Sequence, residues 1–421
     1  MPKLNFQQKS FEHAKLGNLC SDAISEKLSR PETPLRAVQT RNPYISPKQV
    51  SKRWNVLDNE DAKRQLFDSK TEQDMDAYQK NIENFIGTAK MPIGLVGPMR
   101  VNGLFANDDF YLPLATTEAA LVASYNRGAQ LISEAGGASA MLVSEAVLRT
   151  PGFCFDTLAQ AGQFVAWAVT RYDDFKAVAQ KTTRHGKLID ISVNIEANNV
   201  YLIFEFTTGD ASGQNMVTIA TNEVYNYILD HSPITPKYAY VEANLSGDKK
   251  ATAQSLRNVR GKKVSVEIII PAELVKKRLH TSVDSMVNYC RLSATGGVLS
   301  GSIGVHGHYA NGLAALYIAC GQDAACVAES AVGITRLEKT DEGALYASVT
   351  MPNLMVGTVG GGTSLPSQKA CLDIVGLAGE GNAKALAEVT ATLCLAGELS
   401  IIGALSAGHF SRAHHKLARH K

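Results

Sequence analysis

An α+β protein is what this sequence predicts, and three observations carry the prediction. Residues 187–208 read as a β-hairpin: Ile189, Ile191, Val193 and Ile195 alternate with polar residues, Asn198-Asn199 supplies a turn, and VYLIFEF returns. Val264, Val266, Ile268 and Ile270 repeat the same period in a second strand region. Pro271 then opens a helix whose apolar positions recur within the pairs 274/275, 278/279, 282/283 and 286/287. Strands and helices interleave without a regular βαβ rhythm, so a parallel α/β sheet is not expected.

Glycine usage divides the chain. Residues 1–86 contain one glycine, Gly17, whereas 291–421 contain nineteen of the 34. The Gly-poor, Gln/Lys/Glu-rich beginning reads as helical and exposed; the Gly-rich end must let backbones approach something closely. A boundary near residue 87 follows. At 421 residues the chain is long enough for two or three domains. ATLCLAGELSIIGALSAG (391–408) has about the length of a membrane span, yet Glu398 and its many small residues predict a buried helix. The charged N-terminus lacks the apolar core of a signal peptide, and a soluble cytoplasmic protein is expected. Lys plus Arg number 42 against 40 Asp plus Glu, a net charge of +2, which argues against a nucleic-acid binder. Seven cysteines without a C-x-x-C pair make neither a disulfide nor a zinc framework.

Several segments carry candidate chemistry, each with a plainer reading beside it. In PLATTEAALVASYNRG (113–128), Thr117 is placed to cap a helix with Glu118 in its first turn. Alternatively, Glu118 among small apolar residues is a partly desolvated proton donor. Asp248, Lys249 and Lys250 sit in a Gly/Ser loop, either as a solvated surface or with one lysine held against a carboxylate to stabilise an oxyanion. Asp323 follows Gly321 among residues that look buried, where a charge needs a partner: a helix cap, a structural ion pair or a functional one. Cys320 and Cys326 read as small core residues. GTVGGGT (357–363) is either a phosphate cradle or a tight chain crossing, and matches neither G-x-G-x-x-G nor the Walker pattern. His306 and His308 lack a third ligand, so no metal is expected. His414 and His415 lie in a basic tail, where one is a candidate general acid and a solvated terminus is the alternative.

Together ENFIG (83–87), MPIGLVGP (91–98), PLATTEAALVASYNRG, DASGQNM (210–216), GDKK (247–250), ACGQDAA (319–325), VGTVGGGT, AGELS (396–400) and AGHFSRAHH (407–415) resemble the 3-hydroxy-3-methylglutaryl-CoA reductase family, over about 80–421. Lysine in a D-K-K loop, with Asn311 before GQD, resembles the class I form. The resemblance implies NADPH-dependent four-electron reduction of 3-hydroxy-3-methylglutaryl-CoA to mevalonate and CoA; an NADH-linked enzyme oxidising mevalonate is the alternative. It implies Lys249 as the oxyanion cation, Glu118 as proton donor and Asp323 between them, its charge holding the lysine protonated. His414 would protonate the departing CoA thiolate. Asp210, Ser212, Gly213, Gln214 and Asn215 correspond to the family's dinucleotide-binding DAMGMNM, with Ser212 and Gln214 replacing methionines. Gly357, Thr358, Val359, Gly360 and Gly361 join that site. Arg184 matches a contact to the adenosine 2′-phosphate, which favours NADPH. Asn126, Arg127, Arg149, Lys250 and Asn311 match positions that hold or shape the substrate.

The same resemblance implies a helical N-terminal domain (1–86) and a large domain around a long central helix (87–150 and 241–421). Between its two parts lies an inserted ferredoxin-like NADP-binding domain (151–240). It also implies a homodimer or dimer-based oligomer whose active sites are shared, without a membrane anchor. Thr88 replaces a usual tyrosine, Glu242 a usual serine, and a substrate lysine expected before GSIG (301–304) is absent, Arg291 being the nearest cation.

Overall fold

Hydrophobic period and turn chemistry place most of the elements of a computed structural model that describes residues 42–408, together with 25, 26, 28 and 29. Contacts divide the chain into two compact units: Glu83–Thr88 with the residues up to Gln73, and Asp74–Ile82 with the residues from Ala89 onward.

The first unit holds α1 (Pro47–Leu57), α2 (Glu60–Leu66) and α3 (Ser69–Gln73). Ser46 caps α1 by accepting from the Gln49 N–H, and Pro47 supplies the first helical position. Trp54 and Phe85 fill its interior, and the buried Arg53 donates to the carbonyls of Phe85 (3.1 Å), Asn42 (2.6 Å) and Tyr44 (3.1 Å). The ENFIG stretch is thereby clamped by a cation whose donors meet carbonyls.

The second unit is mixed helix and sheet. It begins with β1 (Ile93–Gly103) and β2 (Asn107–Ala115), an antiparallel pair, then α4 (Leu121–Glu134) and the long β3 (Ala138–Arg149). β4 (Gly152–Cys154), α5 (Leu158–Ala168), α6 (Tyr172–Gln180), β5 (Lys187–Glu196), β6 (Asn199–Thr207), α7 (Gln214–His231) and β7 (Tyr238–Tyr240) follow. The chain continues through β8 (Gly261–Ile270), α8 (Ala272–Leu279), α9 (Val283–Ser300), α10 (Tyr309–Ala319), α11 (Val327–Ser330), β9 (Ile334–Lys339) and β10 (Leu345–Leu354). It closes with α12 (Pro366–Val375) and α13 (Ala383–Ser406). The strand order is β7-β4-β6-β3-β8-β10-β9, with β1 on β3 and β5 on β6. β3 joins the two halves: Ser139–Ala146 pairs with β8 and Val147–Arg149 with β6.

The hairpin and the β8 strand form as the alternation requires, and Val264, Val266, Ile268 and Ile270 are all buried. Two local readings are corrected. The hairpin turn is Ala197-Asn198, because Glu196 pairs with Asn199 and Ala197 takes φ 50°. A bulge between Leu188 and Asp190 also turns Ile189 out while Leu188 is buried. The single helix expected after Pro271 is two, since His280 adopts φ 55° and Ser282 caps α9 by accepting from Ser285 N–H.

α13 is the buried helix expected from its composition, running 383–406 rather than 391–408. It packs on α4, α9, α10, β3, β8 and β10. Its two buried glutamates are satisfied by backbone N–H groups and one hydroxyl. Glu388 accepts from Phe105 (2.8 Å), Ala106 (2.9 Å) and Leu142 (3.1 Å). Glu398 accepts from Gly307 (2.7 Å), His308 (2.9 Å) and the Thr335 hydroxyl (2.8 Å). Carboxylates with such partners belong in a protein core.

Candidate active site

Three turns and two helix starts position the candidate residues. After β2 the chain makes a short turn in which Thr116 Oγ1 accepts the Glu118 N–H at 3.0 Å. Ala120 then takes φ 70° and α4 starts at Leu121. Thr117 is therefore not the cap, because the strand ends at Ala115 and a five-residue turn separates it from the helix, with Ala120 in the cap position. Glu118 is exposed on the rim of a cleft of about 370 Å³ that also contains Arg127, Tyr289, His308 and Asn311. Arg127 reaches Ser400 on α13, with Nε to Oγ at 3.1 Å and an Nη to the carbonyl at 2.8 Å. Its burial pulls the guanidinium pKa down. Asn126 Oδ1 accepts the Gly97 N–H at 3.0 Å. The His308 ring lies between Tyr125 Oη (3.2 Å from Nδ1) and the Gly397 carbonyl (3.1 Å from Nε2). A proton on Nε2 satisfies that carbonyl, and Tyr125 Oη also lies 3.2 Å from the His308 carbonyl.

The second constellation is the D-K-K loop. Lys249 Nζ lies 3.0 Å from Asp323 Oδ2, with both side chains a little under half exposed. The Asp323 hydrogen bond pushes the Lys249 pKa up, against a smaller opposing effect of burial. Asp323 also accepts the Ala325 N–H at 3.0 Å, so the cap and the ion pair coexist. The expectation that Asp323 is buried is corrected: the GQD turn projects it to the surface, where Lys249 meets it. Such exposure makes the pair worth little for stability, and its consequence is a charge held in one place. Lys249 has φ 54° and donates its N–H to Glu329 Oε2 at 3.1 Å. Lys250 is exposed, with Nζ 3.0 Å from the Asp248 carbonyl. Arg149 is buried and bonded to Glu242 (3.2 Å) and Asp248 (3.3 Å). Burial raises the Asp248 pKa, but Arg260 and Arg149 outweigh it and the net shift is downward.

A cleft of about 600 Å³ forms where DASGQNM, GQD and the glycine run converge, with Ser212–Asn215, Gln322, Asp323, Gly357 and Val359–Gly361 on its walls. Gly213, with φ 76°, precedes the 18-residue α7, whose first N–H groups have no intrahelical acceptor. The glycine run forms the tight chain crossing that was one of its two readings. As a crossing, Gly357 comes so close that a Cβ would stand 2.6 Å from Ser212 N. Its N–H groups at 357, 358 and 359 already donate to Gln322 Oε1 (2.8 Å) and the Asp210 carbonyl (2.8 and 3.3 Å). Asp210 is likewise committed, its carboxylate accepting from Gly381 (2.8 Å) and Ala383 (3.1 Å) at the start of α13. Asp210 and Thr358 thus brace the wall, while Gly360, Gly361, Ser212 and Asn215 face the cleft. Arg184 is exposed in the loop before β5, and its neighbour Thr183 contacts Met216 Sδ at 2.9 Å in the first turn of α7.

The structure therefore gathers Asp323, with Lys249 paired to it, and the nucleotide-motif residues Ser212–Asn215 around one cleft, and Glu118, Arg127 and Asn311 around another. Asn126 and Arg149 line neither. His414 and His415 lie outside the described residues. Arg291 is exposed on α9 and not in the first cleft's wall. Cys320 and Cys326 are buried, and burial pushes both thiols up. His306 stacks on Tyr309 with centroids 4.3 Å apart. Sequence reasoning missed Arg260, Glu329 and Ser400, whose roles depend on partners 69 to 273 residues away.

The hydroxymethylglutaryl-coenzyme A reductase family profile matches residues 49–419. The 3-hydroxy-3-methylglutaryl-coenzyme A reductase of Methanocaldococcus jannaschii is 43% identical over 348 residues, covering 82% of this chain and 86% of that protein. The enzyme of the same name from Pyrococcus abyssi is 45% identical over 349 residues (81% and 85%). That of Haloferax volcanii is 40% identical over 375 residues (85% and 92%). Among solved structures, the NADPH-bound class II 3-hydroxy-3-methylglutaryl-CoA reductase of Streptococcus pneumoniae superposes with a TM-score of 0.64 at 18% identity, over 86% of this chain and all of that one. A profile match across most of the chain and relatives above 40% identity place this protein in the hydroxymethylglutaryl-coenzyme A reductase family.

Proposed function

We propose that this protein reduces 3-hydroxy-3-methylglutaryl-CoA to mevalonate and CoA with two equivalents of NADPH. The observation that carries the reading is the Lys249–Asp323 pair at 3.0 Å, whose carboxylate residue lines a cleft built from the nucleotide motifs. That cleft fits a dinucleotide: about 600 Å³, a glycine-entered helix N-terminus and close-packed glycine backbones. Ser212–Asn215 and Gly360–Gly361 would hold the pyrophosphate region, with Arg184 on the 2′-phosphate. Bound NADPH supplies the hydrides.

The side chains handle charge and protons. Lys249 stabilises the alkoxide that forms at the thioester carbonyl. The C–S bond of the resulting hemithioacetal breaks, and His414 protonates the CoA thiolate. Glu118 then gives a proton to the aldehyde oxygen as the second hydride arrives, leaving the alcohol of mevalonate. Arg127 and Asn311 orient the substrate's acyl portion from the first cleft, and Lys250 and Arg149 support it from the D-K-K side. Glu118 lines one cleft and Asp323, the partner of Lys249, lines a different cleft of the same chain, which supports a homodimer whose complete site joins the two constellations. Residues 151–240 are the nucleotide-binding insert of this reading, and the buried α13 supports a soluble, cytoplasmic enzyme.

The deciding measurement is NADPH consumed per mevalonate formed from the CoA thioester; a ratio of two supports the reading, and no turnover ends it. Arg184→Ala should lower the kcat/KM preference for NADPH over NADH by on the order of 10- to 100-fold, the worth of one charge-assisted phosphate contact. An unaltered ratio would remove Arg184 from that role and reopen the NADH-linked reading. Asp323→Asn should move the alkaline limb of kcat to lower pH. Asp323 raises the Lys249 pKa, so its loss lets Lys249 deprotonate earlier as pH rises. An unmoved limb would show that Lys249 titration does not set it.

A further inference from the structure

Behind Lys249 lies a buried side-chain network that none of the reaction steps uses. Arg260 is 2% exposed, and its guanidinium points in four directions. Nε donates to Glu329 Oε2, one Nη donates to the Leu148 carbonyl at 2.8 Å, and the other lies 2.6 Å from Asp248 Oδ1 and 3.5 Å from Gln214 Oε1. The same Glu329 oxygen accepts the Lys249 N–H at 3.1 Å. Lys249 and the residue before it thus share one anchor, and the left-handed φ of Lys249 gives that anchor something to hold in place.

Gln214 is the second hub. It lines the nucleotide cleft, and besides meeting Arg260 it donates Nε2 to Cys326 Sγ at 2.7 Å. Cys326 closes the turn that carries Asp323, its N–H donating to the Asp323 carbonyl at 3.0 Å. The two partners of the Lys249–Asp323 pair therefore sit on different turns, and one cleft-facing amide touches the support of each.

We propose that Arg260 is the positioning residue for Lys249, and that Gln214 links its hold on the Lys249–Asp323 pair to occupancy of the nucleotide cleft. The proposal rests on the reading of that cleft as the NADPH site. A dinucleotide seated against Ser212–Asn215 immobilises the Gln214 backbone at the α7 N-terminus. Its amide then holds Arg260 and Cys326 in register, and the D-K-K loop tightens before the thioester reacts. Lysine at 260 keeps the charge but cannot reach Glu329, Leu148, Asp248 and Gln214 together.

The test uses the full-length protein, NADPH binding by fluorescence titration, and amide hydrogen exchange over 246–252 with and without NADPH. In the unsubstituted protein NADPH should slow exchange in this loop by about tenfold or more. In Gln214→Met, which retains length but not the amide, NADPH should still bind while that slowing disappears. Its kcat should fall on the order of tenfold, with the thioester KM changed far less. Arg260→Lys should lose the slowing and kcat in the same proportion, with its circular-dichroism spectrum retained. Equal NADPH-dependent protection in Gln214→Met and the unsubstituted protein overturns the relay alone. Absence of NADPH binding to the unsubstituted protein overturns the functional reading and the relay with it.

Discussion

Lys249→Ala abolishes nearly all mevalonate formation, by about a thousandfold in kcat, while NADPH binding and the folded spectrum persist. Both hydride additions place negative charge on an oxygen, and one preorganised donor to such an oxygen contributes about 10²–10³ in rate. Lys249 meets the requirement for preorganisation through contacts at both ends. Its ammonium is held at 3.0 Å by Asp323, and its backbone by the buried Glu329. The substitution does not threaten the fold, because the side chain is nearly half exposed and its ion pair contributes little stability. Single-turnover measurements with thioester and with free aldehyde should fall together, since the same cation serves both steps. Retained thioester reduction in this variant would assign the oxyanion to another group.

The largest loss of stability is expected from Gly128→Ala, at about 3 kcal/mol, with a thermal midpoint lower by several degrees. α4 crosses α13 at this residue, and an added Cβ would be driven into the Ala396 carbonyl, a backbone atom with no freedom to retreat. The crossing is close by construction. Gly312 and Gly397 approach the Tyr125 ring from α10 and α13, where Cβ atoms would stand 2.5 Å from it. Separating the helices would also pull Arg127 from Ser400 and disturb His308, whose ring bridges Tyr125 and Gly397. Activity should fall with stability. Gly162→Ala is the control: it is exposed on α5 with nothing within 4 Å of the new Cβ, and should gain about 0.5–1 kcal/mol. Equal stability of Gly128→Ala and the unsubstituted protein would show that α4 and α13 do not cross this closely.

The period of apolar residues located β5, β6 and β8, and in β8 it also fixed the face that is buried. Composition likewise determined that 391–408 is interior, because Glu398 has a place only where backbone donors surround it. The motifs pointed to the DASGQNM, GQD and glycine segments, which do converge on one cleft, and to Lys249, which pairs with Asp323 on its wall. Local capping was less legible. Thr117 is a good cap by type, but Thr116 took the Glu118 N–H first and moved the helix start to Leu121. His280 broke a helix that the apolar spacing alone would have continued.

Partners distant in the chain were decided only by the tertiary structure. Arg260 looks like any basic residue before a strand, and its importance arises because Glu329, Leu148, Asp248 and Gln214 arrive around it from four elements. Asp210 matched a nucleotide motif, yet its carboxylate caps the start of α13 and its carbonyl anchors the glycine run. Arg149 matched a substrate position, yet folding buries it against Glu242 and Asp248. The physical reason is the same in each case. A pattern fixes which face of an element is apolar, whereas the partner of a buried charge is whichever group the other elements bring within hydrogen-bonding distance.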